Sequence, residues 1–244
     1  MVRENKVGAI VVMSLAVLVV LGSPYQTMAQ DVTTPYPKMA PIEQYLMDRT
    51  AEITLARSAA PESVSYDATI LVLGRQGYET AVEGKNGFVC MVGRGWTGMF
   101  DWPEFWNPKV RAAVCLNPQA ARSILPSDYL RTRMVMAGRS KAEIVSALKA
   151  AFEKKRLPNL EGGAMAYMMS KSAYLTDEGD HNVAHLMFYT LVKNSNDWGS
   201  GVTGSPVLSS PLWFISQEES QGLPPILVFL VVLAHWSDGT PVHL

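Results

Sequence analysis

Residues 68–92 read Ala-Thr-Ile-Leu-Val-Leu-Gly-Arg-Gln-Gly-Tyr-Glu-Thr-Ala-Val-Glu-Gly-Lys-Asn-Gly-Phe-Val-Cys-Met-Val. Ala68 to Gly74, Tyr78 to Glu83 and Phe88 to Val92 are rich in β-branched and aromatic side chains, and Gly or Asn bounds each of them. Gly84-Lys85-Asn86-Gly87 is a turn signal, so the stretch reads as a β-meander. Arg111 to Leu116 adds a short strand. Ala164 to Ser170, His185 to Val192, Val207 to Ser216 and Ile226 to His235 supply four more candidates.

Helical signals lie between and before these strands. Apolar residues recur at helical spacing over 41–58, with Pro41 at the start and Pro61 beyond the end. Asn117-Pro118 is a cap followed by a first-turn proline. Pro126 interrupts that helix and Gly138 ends its second half. Ser140-Lys141-Ala142-Glu143 is a capping-box signature for a helix over 141–155, whose stripe is Ile144, Val145, Leu148, Ala151 and Phe152. Strands, then helices, then strands predict an α+β fold: an antiparallel sheet, meander plus C-terminal strands, with helices packed on one side.

The first 29 residues read as a secretory signal. Arg3 and Lys6 precede an apolar run to Leu21, Gly22-Ser23-Pro24 breaks it, and Thr27-Met28-Ala29 offers small residues for cleavage. Residues 30–244 are then one globular domain in the periplasm or outside the cell, touching membrane only through the signal segment before cleavage. The run Ile226 to Ala234 is too short to span a bilayer and reads as a buried strand.

The 244 residues carry 21 Lys and Arg against 22 Asp and Glu. Without the signal, 19 basic residues face 21 acidic ones, which excludes a nucleic-acid binder driven by bulk positive charge. The near-neutral total hides a block: residues 122–156 hold nine basic and three acidic side chains. Cys90 and Cys115 are the only cysteines. An oxidising compartment would let them pair, and two buried free thiols are the alternative.

Two catalytic patterns fail. Gly93-Arg94-Gly95-Trp96-Thr97-Gly98 matches the dinucleotide fingerprint, but Pro103 and Pro108 follow where a helix must begin. Ser146-Ala147-Leu148-Lys149 matches the serine–lysine pattern, but Ser146 faces away from its helix's apolar stripe.

Three constellations remain. Trp96, Trp102 and Trp106, with Arg94 close by, lie among glycines and prolines as a loop that stacks on a flat small ligand or folds into a satellite core. His185 opens one strand and His235 closes another. Antiparallel pairing brings those ends to one edge of the sheet, beside an acidic loop holding Asp180 and His181. His181, His185 and His235 are metal-ligand candidates, and His185, His235 and Asp180 are candidates for general-base chemistry. The bland reading is strand-end histidines bonded to backbone. Met165, Met168, Met169 and Met187 are soft enough to ligate Cu(I), and equally serve as core filler. No motif specifies a cofactor.

The strings Gly77 to Cys90, Gly163 to Ser170 and His185 to Tyr189 resemble a group of uncharacterised exported bacterial proteins with no assigned activity. The resemblance implies a bacterial, exported, single-domain protein and transfers no functional residue. Whether the chain is an enzyme stays open. The expectation is a small-ligand-binding domain; the alternatives are a metal- or His-dependent hydrolase and an envelope structural or interaction protein without a catalytic site.

Overall fold

The eight strand candidates all form strands, and they join a single sheet. The computed structural model describes residues 35–178 and 182–242, which belong to one unit, residues 34–244. The strands are β1 (Thr69–Gly74), β2 (Gly77–Val82), β3 (Val89–Gly93), β4 (Ala112–Leu116), β5 (Met165–Met168), β6 (His185–Thr190), β7 (Val207–Pro211) and β8 (Leu227–Val232). Their order across the sheet is β2-β1-β3-β4-β5-β6-β8-β7. Every pairing is antiparallel except β1 with β3, which is parallel. The signal segment, Asp180 and His181 lie outside the described residues.

The first three strands are therefore not a meander. β1 is apolar and buried from Ile70 to Leu73 and takes an inner position, whereas β2 exposes Glu79 and Thr80 at the sheet's edge. The Gly84–Gly87 turn does not close a hairpin between β2 and β3. It carries the chain across the foot of β1, where Lys85 N–H donates to Asp67 O (2.9 Å) and Thr69 N–H to Phe88 O (2.9 Å). A Cβ on Gly84 would lie 2.2 Å from Thr69 N, so only glycine permits this crossing.

Alternate residues of the strands serve two helical layers. Cys90, Val92, Ala113 and Cys115 cluster with Ile70 and with Ala56 of α1 (Arg49–Arg57). Met91, Leu116 and Leu71 cluster instead with Ala120 of α3 (Pro118–Ser123) and Leu125 of α4 (Leu125–Met136). A short α2 (Glu62–Ser65) precedes β1. Neighbouring residues on a strand point to opposite faces, so helix packs on both sides of the sheet rather than on one. On the α1 side, Cys90 and Cys115 stand directly opposite each other on β3 and β4. They are joined as a disulfide with Cα atoms 3.9 Å apart.

The helix ends follow the local sequence. Asn117 accepts a bond from Ala120 N–H and caps α3, and Ser140 with Glu143 forms the capping box of α5 (Lys141–Glu153). A brief α6 (Gln217–Ser220) lies before β8. The predicted helix over 41–58 is broken in two: a 3-10 turn at Ile42–Gln44, then α1, capped by Asp48. In a continuous helix Tyr45 O would accept from the amide four residues on. Here it accepts from Arg94 Nε at 2.8 Å, and the Tyr45 hydroxyl donates to Trp106 O at 2.7 Å.

Candidate functional site

The aromatic segment folds back on itself more than it opens to solvent. Trp96 is fully buried against Tyr45, and its indole N–H donates to Thr132 Oγ1 at 3.1 Å. Trp106 is buried edge-on to Phe105, which stacks on Phe100. The Gly93–Gly98 fingerprint opens no helix of its own beyond a 3-10 turn at Gly95–Thr97. Its glycine at 95 serves packing, because a Cβ there would lie 2.2 Å from Glu104 O. Trp96 and Trp106 thus form a satellite core, and of the three tryptophans Trp102 alone, half-buried, lines a cavity.

Arg94 also borders that cavity, but its charge is already matched. It is completely buried, with Nε on Tyr45 O, one terminal nitrogen on Val92 O, and the other on Glu52 Oε1 at 2.9 Å. The same Glu52 oxygen accepts Leu73 N–H at 3.1 Å. Arg94 therefore ties α1 to β1 and β3 instead of offering a free cation to a ligand. Not all of the basic block 122–156 is a solvated face: Arg131 is buried and Lys141 donates to Phe100 O at 2.8 Å, while Arg133, Lys154 and Arg156 are exposed around one hollow.

The cavity measures about 260 Å³ and lies against the face of the sheet opposite α1. The sheet beneath it carries rows of side chains set by strand register, all of which but Ala166 and Val232 line the cavity. Met168, His185 and Val232 stand side by side in one row. Leu116, Ala166, Met187 and Leu230 form the next, and Tyr189, Val228 and Ser210 the third. Gly98, Met99 and Trp102 cover it from the aromatic segment, and Asp128 enters from the first turn of α4. Met91, Met99, Met168 and Met187 all contribute to the wall, which makes it apolar and adaptable.

His185 is buried on this wall. Its Nδ1 lies 2.7 Å from Val183 O. A carbonyl only accepts, so Nδ1 carries the proton and Nε2 is left as an acceptor. Burial holds the imidazole below its ordinary pKa, against the opposing pull of that hydrogen bond. The paired-histidine expectation is half met. β6 and β8 do pair antiparallel, but His185 stands beside Val232, three residues before His235. That offset is ~10 Å along an extended chain, and an odd offset turns a side chain to the other face. His235 is exposed and forms a bridge with Pro241. Among the described residues, no three His, Cys, Asp or Glu side chains group as metal ligands.

Asp128 is the residue that sequence reading missed. Among the described residues it has no hydrogen-bond or ion-pair partner, and it opens onto the cavity. Burial pushes its carboxyl up to about 7, while the Arg131 charge pulls the other way. Its position carried a signal: it lies three residues after Leu125 and four before Thr132, both on the buried stripe of α4. Tyr189, buried nearby, has its phenol raised above the usual range by burial first and by the Asp128 charge second. No family model, curated protein or solved structure matches the chain.

Proposed function

We propose that the protein is an exported small-ligand-binding domain that takes a small, largely apolar molecule into the cavity beneath Trp102. The observation that carries this reading is the cavity itself. About 260 Å³ of space lies open over a sheet face whose other surroundings are close-packed. Ordinary ligand sites run from roughly 300 to 1,000 Å³, so the occupant is at the small end. A few polar groups, Asp128, His185 and Tyr189, interrupt an otherwise apolar wall, as orientation of a ligand requires. The disulfide supports an oxidising compartment, and no helix among the described residues is long and apolar enough to cross a membrane. The near-neutral charge of the mature chain supports a partner other than nucleic acid.

The test is a titration with 1-octanol, followed by tryptophan fluorescence and by thermal unfolding. Binding is expected to shift Trp102 emission and raise Tm, and Val114→Phe, which fills the cavity from β4, is expected to abolish both. Unchanged emission and Tm with 1-octanol and also with the amine and carboxylate of the same chain length would overturn the reading.

A further inference from the structure

Resting on that ligand-binding reading, we infer that the ligand carries a cationic nitrogen. It is a lipophilic amine whose ammonium group pairs with Asp128 while its apolar part lies along the methionine wall. The carboxyl group is the starting point. A carboxylate facing an apolar cavity without a partner is costly, and native proteins rarely keep such a group without use. Among the described residues no cation forms an ion pair with Asp128, although the Arg131 charge acts on it. Arg131, one turn further along α4, does not line the cavity. It donates to Thr97 O (3.3 Å) and to Gly98 O, and its guanidinium lies 4.5 Å over the Phe100 ring. Arg94 is neutralised by Glu52.

The other polar groups around the cavity point to the same ligand. The Thr97 hydroxyl donates to Arg94 O at 2.9 Å, and the Ser210 hydroxyl is engaged by Met99 Sδ and Pro211 O. His185 Nδ1–H is held by Val183 O. What lines the empty space without a partner among the described residues is therefore the Asp128 carboxylate, His185 Nε2 and the Tyr189 hydroxyl, of which the first two only accept and the third can do both. An ammonium group is a pure donor with three N–H bonds, and Trp102 offers an aromatic face suited to a cation. An anionic ligand would place a second negative charge beside Asp128 in a low-dielectric space. A neutral alcohol has a single donor and no charge to pair.

The pairing has a pH signature. Asp128 interacts with Arg131 and Tyr129 of its own helix, with Tyr78 of β2 and with Tyr189 of β6, and it shares the cavity wall with His185 and Arg94. Tyr78, Tyr129 and Tyr189 stay neutral and Arg131 stays charged between pH 6 and 8, and burial favours the neutral form of His185. Asp128, raised to about 7, changes within that window. An alkylamine stays charged there, so amine binding must expel the Asp128 proton below about pH 7, and affinity falls about tenfold per pH unit lower.

The experiment compares n-octylamine, 1-octanol and octanoate by calorimetry at pH 6 and pH 8, with the full domain and its Asp128→Asn variant. Octylamine is expected to bind the parent at least tenfold more tightly than octanol at pH 8. Most of that advantage should vanish at pH 6, and Asp128→Asn should remove both the preference and the pH dependence. Equal affinity for amine and alcohol, or tightest binding of octanoate, overturns the amine inference and leaves the apolar site standing. If none of the three binds the parent at either pH, the ligand-binding reading falls and takes this inference with it. The pH profile of the parent protein needs no variant, so a misfolded Asp128→Asn would not rescue a failed prediction.

Discussion

The two faces of the sheet are built from the same strands and solve opposite problems. The face under α1 is lined with short side chains: Ala56, Ala59, Ala60, Ala68 and Ala113 pack around the Cys90–Cys115 disulfide. Small residues let helix and strand approach closely, and Glu52 and Arg94 lock the contact with a fully buried ion pair. The face under the aromatic segment carries long, flexible methionines and a half-buried tryptophan, and it keeps a cavity with an unpaired carboxyl. One side is rigid and electrically closed, while the other is adaptable and electrically unfinished. Alternation along a strand lets neighbouring residues, such as Ala112 and Ala113, serve these different ends.

The largest expected effect lies on the rigid face. Glu52→Ala leaves Arg94 as an uncompensated buried cation and removes the acceptor of Leu73 N–H, so it should cost about 3–5 kcal/mol in denaturant unfolding. A parent-like midpoint would break the claim that this pair locks α1 to the sheet. Next comes the disulfide. Its cysteines are 25 residues apart, and replacing both with alanine should cost about 3 kcal/mol.

Asp128→Asn should act in the opposite direction. A carboxyl whose folded pKa is raised binds more protons folded than unfolded. Asp128 therefore lowers stability as pH climbs from about 4 to about 7, and the loss is complete above that. The asparagine variant should gain ~2 kcal/mol over the parent at pH 8, less than the full shift implies because the carboxyl is only part-buried, and nothing at pH 4. A gain that is constant with pH would show that titration of Asp128 is not its source. The smallest effects compare adjacent residues of β4. Ala113→Leu overpacks the closed face and should cost about 1–3 kcal/mol, whereas Ala112→Leu enters the cavity and should cost under about 1 kcal/mol. Equal costs would erase the distinction between the faces.

These contrasts show which features local sequence could declare. Strand positions and helix caps are written in composition and spacing over a few residues, as at Ser140–Glu143 and Leu227–Val232. Strand order is not. The turn at Gly84–Gly87 looks like a hairpin until the foot of β1 is seen to occupy the crossing, and that is a contact with residues 67–69. The break before α1 has the same character, because Arg94 diverts the Tyr45 carbonyl from 49 residues away. At the candidate site, Trp102 and His185 were legible as a loop aromatic and a strand-end histidine. Trp96, Trp106 and Arg94 carried the same sequence signature and went into packing. Asp128 was hidden by its setting: in a basic helical block an acidic residue reads as solvated, and only the stripe shared with Leu125 and Thr132 betrays its inward direction.

The central claim, that the methionine-walled space takes an apolar guest, is tested most directly by diffraction from crystals equilibrated with pressurised xenon. Apolar cavities of this kind bind xenon. The account predicts xenon density between Met187 and Trp102 in the parent protein and none there in Val114→Phe. A parent crystal with the space closed by its own side chains, or open yet without xenon, would contradict it.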